Sequence, residues 1–171
     1  MKVPSKKPTV LDIAYVGVMV ATMLTGKWAL SSLPNIEVVS LFTIVYTVFF
    51  GGITAYAVIV FIIVEGLIYG FGWWFYGYVI AWPILFLVTY LFRKKPDNVK
   101  MALISGIFGL SFGLLCEIPY SIMFGTKAGF AWWIAGIPYD VVHCVGNFVI
   151  CLFLFNPLLR ALRAVKRGKD E

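Results

Sequence analysis

The chain has 171 residues, of which 61% are hydrophobic, 18% aromatic and only 13% charged. Soluble domains are about 45–50% apolar and about 25% charged, and a body this small could not bury the excess apolar surface. The composition therefore excludes a water-soluble single domain and a disordered chain. It predicts an all-α integral membrane protein with one membrane domain over residues 1–171, without room for a soluble ATP-binding or catalytic domain.

The net charge of +6 is concentrated in three polar segments. Their cations are Lys2, Lys6 and Lys7 at the N-terminus, Arg93, Lys94, Lys95 and Lys100 in one loop, and Arg160, Arg163, Lys166, Arg167 and Lys169 in the tail. Clusters of this kind mark cytoplasmic segments of membrane proteins. They do not indicate a nucleic-acid groove, because no basic surface with stacking aromatics accompanies them.

Six helices are predicted between these segments, over residues 9–33, 36–50, 53–69, 78–92, 100–124 and 130–155. The first begins at a capping box formed by Thr9 and Asp12. The six-helix bundle is expected to occupy residues 9–156. Residues 1–8 are expected to form a cytoplasmic segment, and residues 157–171 a basic cytoplasmic tail.

Residues 36–69 permit two interpretations. A span needs about 20 residues, so this stretch suits either one tilted helix or two short ones. The N-terminus and the 93–100 loop are both basic, so both should be cytoplasmic. An even number of spans must then separate them. This favours two short helices with a hairpin at Gly51 and Gly52, and hence six transmembrane helices with both termini cytoplasmic.

Ionisable residues within the spans gather in the predicted outer half, and each costs about 2.5–3.5 kcal/mol on insertion scales, so each is a functional hypothesis. The residues are Lys27, Glu37, Glu65, Glu117 and Asp140. Gly136, Asp140, His143 and Asn147 follow one helical face, which should line a cavity or contact a polar helix. The other interpretations are that Glu37 and Glu65 face water and that His143 is a core histidine bonded to a backbone carbonyl.

Aromatic residues share this outer half: Trp28, Trp73, Trp74, Tyr76, Trp82, Trp132 and Trp133. An interfacial belt is the ordinary explanation, but belts normally occupy both interfaces and this one is one-sided. On the first helix, Ala14, Gly17 and Ala21 form a small-residue stripe. Such a stripe serves either packing within the chain or docking onto a separate membrane subunit.

The sequence permits two catalytic alternatives. Residues 109–113 match GxSxG and His143 is the only histidine, which permits an intramembrane Ser111–His143 dyad. The motif belongs to a strand-to-helix turn, however, and here Ser105, Gly109 and Gly113 are explained as a packing ridge. A metal site from Glu65, Glu117, Asp140 and His143 lacks paired ligand spacing, and no P-loop is present.

The chain resembles the substrate-binding S component of energy-coupling factor (ECF) transporters. The resemblance covers about residues 9–160 and rests on LPNIE at 33–37, YTVFFGG at 46–52, GIPYD at 136–140 with His143, GNFV at 146–149 and NPLL at 156–159. It implies a bacterial plasma-membrane protein that binds a vitamin-like micronutrient from outside. It also implies docking on a transmembrane coupling subunit that carries two ABC ATPases, with no enzymatic activity, cofactor or metal in this chain.

Carried onto this sequence, the resemblance makes Ala14, Gly17 and Ala21 the partner-docking stripe. The expected substrate-binding residues are Asn35, Glu37, Glu65, Trp73, Trp74, Glu117, Trp133, Asp140, His143 and Asn147. The excess of acids over bases disfavours polyanionic ligands such as folates. It favours an aromatic, neutral or cationic vitamin of a pyridine, thiazole, benzimidazole or corrinoid type.

Two other functions remain open from the sequence. A stand-alone proton- or ion-coupled transporter would use Asp140, His143 and Glu117 as a relay and would work without ATP. A purely structural membrane subunit would bind no ligand.

Overall fold

A computed structural model describes residues 9–170, with side chains through residue 166. Its elements are α1 (Val10–Ala29), α2 (Val39–Phe50), a 3-10 turn (Gly51–Ile53), α3 (Thr54–Tyr69), α4 (Trp73–Phe92), α5 (Asn98–Phe124) and α6 (Thr126–Asp170). No strand occurs within residues 9–170, so the predicted all-helical class is confirmed. The predicted cytoplasmic segment 1–8, with its three lysines, and the side chains of Arg167 and Lys169 lie outside the described residues.

Helices of membrane-spanning length and composition account for most of the chain. Five helical stretches qualify: Val10–Ala29, Val39–Tyr69, Trp73–Phe92, Asn98–Phe124 and Thr126–Lys166. Large apolar side chains lie on their outer surfaces, and Leu67, Leu91 and Ile122 are 69%, 76% and 80% exposed. Because α2 and α3 qualify only as one joined stretch, the count of six spans stays a prediction.

The chain reverses direction between α2 and α3. The ring of Tyr15 near the start of α1 lies 5.1 Å from that of Phe50 at the end of α2. Near the end of α1, Trp28 Nε1 donates to the hydroxyl of Tyr69 at 2.9 Å. Helix α2 therefore runs antiparallel to α1 and α3 runs parallel to it. Gly51 has a φ of 68°, a left-handed conformation that costs glycine little, and it makes this turn as the hairpin prediction requires.

The two ends of the bundle differ in charge. Gly51 lies next to Arg93, since a Cβ on Gly51 would be 3.7 Å from Arg93 Nε. Asn98 Nδ2 donates to Leu152 O at 2.6 Å, so the last turns of α6 reach the same end. We call this the cationic end, because it holds Arg93, Lys94, Lys95, Lys100, Arg160, Arg163 and Lys166. The opposite end, called the loop end, holds residues 30–38, 70–72 and Gly125.

Helices α5 and α6 approach closely along a ridge of small residues. A Cβ on Gly109 would lie 2.7 Å from His143 O, and one on Gly106 would lie 3.3 Å from Cys144 O. Because glycine has no side chain, the backbones of α5 and α6 can contact each other directly. The predicted role of Ser105, Gly109 and Gly113 as a packing ridge is confirmed for both glycines, since a Cβ on Gly113 would contact Asp140.

Several helix limits differ from the predictions. Trp73 and Trp74 lie in the first turn of α4, not in a preceding loop. Helix α6 begins at Thr126 instead of residue 130 and does not end at residue 155. It continues through Pro157 because Phe155 and Leu159 are both buried in the core, and this packing offsets the hydrogen bond that proline cannot donate.

Candidate functional site

Three adjoining cavities lie at the loop end, and Tyr78 of α4 lines all of them. The aspartate cavity, of about 410 Å³, is lined by α4, α5 and α6 residues that include Asp140. The lysine cavity, of about 380 Å³, contains Lys27 and Glu65. The loop cavity, of about 230 Å³, lies beneath residues 30–37 and contains Glu37 and His143. Each is near the size range of small-molecule sites.

The aspartate cavity has one buried carboxylate. Asp140 is 7% exposed, and its Oδ1 accepts a hydrogen bond from the backbone N–H of Gly113 at 3.1 Å. Its Oδ2 is buried and has no hydrogen-bond partner among residues 9–166. A Cβ at residue 113 would overlap this carboxylate, so a larger residue there would have to displace the Asp140 side chain.

Aromatic rings make up much of the same wall: Trp73, Trp74, Tyr78, Phe112, Trp132 and Tyr139. The rings of Trp73 and Trp132 meet edge to face with centroids 5.1 Å apart, and those of Trp74 and Tyr78 meet similarly at 5.2 Å. Such contacts fix ring orientation. The cavity wall therefore presents aromatic faces of fixed orientation next to a carboxylate.

The lysine cavity contains an ion pair between α1 and α3. Lys27 Nζ contacts Glu65 Oε2, and Glu65 is fully buried. The ammonium also lies 5.0 Å from the ring centroid of Tyr69 and 5.3 Å from that of Tyr78, within the range of cation–π attraction. Both charges are therefore matched within the protein, and the interpretation that Glu65 faces water is wrong.

Glu37 connects residues 30–38 to the helix bundle through its carboxylate contacts. Its Oε1 lies 3.3 Å from His143 Nε2, and its Oε2 accepts from the backbone N–H of Ser40 at 2.8 Å. Burial opposes ionisation of Glu37, but the hydrogen bonds from His143 and Ser40 outweigh it and lower the pKa of this carboxyl. Asn35, within this segment, has a φ of 59°, a left-handed conformation that asparagine tolerates.

The polar face predicted on the last helix points inward. Asp140, His143 and Asn147 are all buried, and Gly136 lines the aspartate cavity. Asn147 Nδ2 donates to Ser40 Oγ at 3.1 Å and to Ser105 O at 3.5 Å. This face therefore joins α6 to α2 and α5 below the cavities. His143 is not a histidine bonded to a backbone carbonyl, because its Nε2 contacts the Glu37 carboxylate.

Three predicted site residues line none of the three cavities: Glu117, Trp133 and Asn147, whose contacts with α2 and α5 lie below them. The Glu117 carboxylate accepts a hydrogen bond from Ser121 on its own helix and lines none of the three cavities. Trp133 packs with Phe130, whereas its neighbour Trp132 lines the aspartate cavity. The signal for Trp132 was available, because it precedes Gly136 by four residues and so shares the polar face.

Other cavity residues escaped the sequence analysis: Tyr78, Phe112, Gly113, Cys116 and Tyr139. Tyr78 and Trp74 are four residues apart on α4, so helical spacing from Trp74 was the one signal that could have found Tyr78. Phe112 and Cys116 lie in an apolar run that has no such marker.

The small residues of α1 lie on its outer surface. Ala14, Gly17 and Ala21 are all exposed, and a Cβ on Gly17 would meet no atom within 4 Å. The interpretation that this stripe serves packing within the chain is therefore wrong. Its surface is free for lipid or for another protein.

The GxSxG segment does not assemble a nucleophile. The Ser111 hydroxyl donates to Ile107 O on its own helix at 2.8 Å. Within residues 9–166 no hydrogen bond joins it to His143. No cluster of three His, Cys, Asp or Glu side chains suited to a metal occurs in this part of the chain either. The geometry gives the protease and metal-site hypotheses no support.

No protein-family model, curated protein or solved structure matches this chain. The class is therefore defined by the fold alone: an all-α membrane protein with several helices long and apolar enough to cross a bilayer.

Proposed function

We propose that the chain is the substrate-binding S component of an ECF-type importer, which takes a vitamin-like micronutrient into the cell. The observation that carries this proposal is the aspartate cavity, a site of about 410 Å³ with aromatic walls and a buried carboxylate. It lies at the end of the bundle opposite the cationic loop and tail. A small-molecule site in that place is what an uptake receptor needs.

The charge distribution gives the proposed orientation. Lys and Arg clusters remain on the cytoplasmic side, so the cationic end is placed inside and the loop end outside, in a bacterial plasma membrane. With α2 and α3 antiparallel, this arrangement has six spans and both termini in the cytoplasm. The cavities then open toward the outer surface.

The exposed stripe of small residues on α1 supports the proposal that the chain docks on a partner subunit. Ala14, Gly17 and Ala21 leave one face of α1 without bulky side chains, which allows another helix to approach closely in lipid. We assign this face to the membrane coupling subunit, which would carry the two ABC ATPases. The chain itself would then supply substrate recognition only.

Native mass spectrometry of the chain, released gently from membranes of cells grown in rich medium, tests the binding function. We expect a vitamin-sized adduct, because a substrate bound tightly enough survives purification. A bare protein that is also not stabilised by any vitamin in a thermal-shift panel would contradict the proposal. Uptake that depends on a proton gradient and needs no ATPase would instead favour the stand-alone transporter.

Enlarging the α1 stripe tests the partner. In Gly17→Leu/Ala21→Leu we expect unchanged thermal stability and ligand binding in the isolated chain, because both positions are exposed. Co-purification with the coupling subunit and ATP-driven uptake should fall at least about tenfold, because small-residue contacts tolerate little added bulk. Ala131→Leu makes the same change as Ala21→Leu at an exposed position on α6 and should leave both unchanged. Equal uptake by the two variants would contradict the assignment of α1 as the docking helix.

A further inference from the structure

The ionisable side chains around the three cavities form two contacting pairs and one single group. Lys27 forms an ion pair with Glu65, and Glu37 contacts the imidazole of His143. Asp140 has no cationic partner within 4.0 Å among residues 9–166. The single histidine, His143, is one turn further along α6 and directs its Nε2 to Glu37. Within residues 9–166, therefore, no cationic side chain pairs directly with the carboxylate of the aspartate cavity.

The surroundings of Asp140 give that charge little solvation. Asp140 is 7% exposed, and among residues 9–166 the backbone N–H of Gly113 is the only donor to its carboxylate. Its second oxygen has no hydrogen-bond partner in that part of the chain. An ionised carboxylate in a low-dielectric interior is costly unless a proton or a counter-ion neutralises it, and a cationic ligand supplies the counter-ion. A neutral hydrogen-bond donor would supply a partner but would leave the charge in place.

The walls of the cavity suit the same kind of partner. Trp73, Trp74, Trp132 and Tyr78 stand around it, and aromatic faces attract organic cations through the ring quadrupole. The volume of about 410 Å³ lies near the lower end of the range for drug-sized ligands. It suits a molecule of one or two rings better than a macrocycle such as a corrinoid.

We infer that the ligand of the aspartate cavity is an organic monocation with a flat heterocyclic ring, held by charge pairing with Asp140 and by the surrounding Trp and Tyr faces. Pyridinium, thiazolium and benzimidazolium compounds are members of this class. The inference rests on the proposed function in so far as it takes this cavity to be the substrate site.

Matched pairs of cationic and neutral ligands test the inference in the purified full-length chain. The probes are nicotinamide with its ring-N-methylated pyridinium form, and N-methylbenzimidazole with its doubly N-methylated benzimidazolium form. Each is titrated to millimolar concentration by calorimetry and thermal shift. We expect each cation to bind at least about tenfold more tightly than its neutral partner, because only the cation gains both the charge pairing and the cation–π attraction.

Asp140→Asn identifies the group responsible. The amide keeps the shape of the side chain and an oxygen that can accept from Gly113, so the variant should fold. We expect it to lose the preference for the cations and to bind the neutral members unchanged. Asp97→Asn is the matched control, because Asp97 caps α5 at the other end of the bundle and asparagine caps equally well. This control should retain the preference.

Equal binding within each pair, no binding of either cation, or a preference that persists in Asp140→Asn would overturn the inference. Should Asp140→Asn not fold, the pairs measured on the unaltered chain decide the matter. The proposed function fails by a different result, namely the absence of ATPase-dependent uptake. A neutral vitamin found as the native adduct would contradict the inference that the ligand is a cation. It would not contradict the proposal that the chain is an importer subunit.

Discussion

Gly109→Val is expected to separate α5 from α6 and to leave little folded protein. The added Cβ would lie 2.7 Å from His143 O and 2.8 Å from His143 C, both backbone atoms of α6. Rotation of a side chain cannot relieve such a contact, so the helices must move apart. Overpacking typically costs about 1–3 kcal/mol and occasionally more. We expect the upper part of that range, because the contact is with backbone and also displaces the Asp140–Gly113 hydrogen bond one turn away.

Gly17→Val is the matched control for this prediction. It makes the same change within a helix, but a Cβ there meets no atom within 4 Å. Melting temperature and monodispersity in detergent, measured for both variants, should separate them clearly. Similar melting of the two proteins would contradict the close α5–α6 contact, because the penalty would then come only from valine in a helix.

Breaking the Lys27–Glu65 pair is the second change with a large expected effect. Lys27→Met leaves the fully buried carboxylate without its counter-ion, and the free energy of unfolding should fall by about 3 kcal/mol or more. Glu65→Leu should cost less, because the Lys27 side chain is 29% exposed and its ammonium can turn toward water. The double variant Lys27→Met/Glu65→Leu should recover most of the loss, since apolar replacements of buried ion pairs are often neutral.

A double-mutant cycle of unfolding free energies in micelles measures this coupling. Strong non-additivity, with the double variant more stable than Lys27→Met alone, is the expected pattern. Additive losses would mean that the two charges do not interact across α1 and α3. The same four proteins should be titrated with the native ligand, because the lysine cavity adjoins the aspartate cavity through Trp74 and Tyr78.

The helices could be predicted because their signals are local. The Thr9–Asp12 capping box is present as expected, and the Gly51 turn follows from a charge rule and a glycine pair. The last helix was divided at Pro157 because proline normally ends a helix. The buried contacts of Phe155 and Leu159, which keep that helix continuous, come from other helices and leave no mark in the local sequence.

The candidate site could be predicted only in part. Periodicity placed Asp140, His143 and Asn147 on one inward face, which the structure bears out. The same periodicity favours Trp132 over Trp133, because Trp132 precedes Gly136 by four residues and adjacent residues on a helix differ by about 100° in direction. It gave no means of showing that Glu117 bonds within its own helix, because that contact depends on the side-chain conformation.

By itself the sequence determined an all-helical membrane protein, the positions of its cationic segments and the polar face of the last helix. These follow from composition, periodicity and charge, which act within one segment and need no knowledge of its neighbours. Only the tertiary structure decided that Lys27 neutralises Glu65, that His143 contacts Glu37 and that no cation of residues 9–166 lies within 4.0 Å of Asp140. Such partners are 38 and 106 residues apart in sequence, and their pairing is set by how the helices pack.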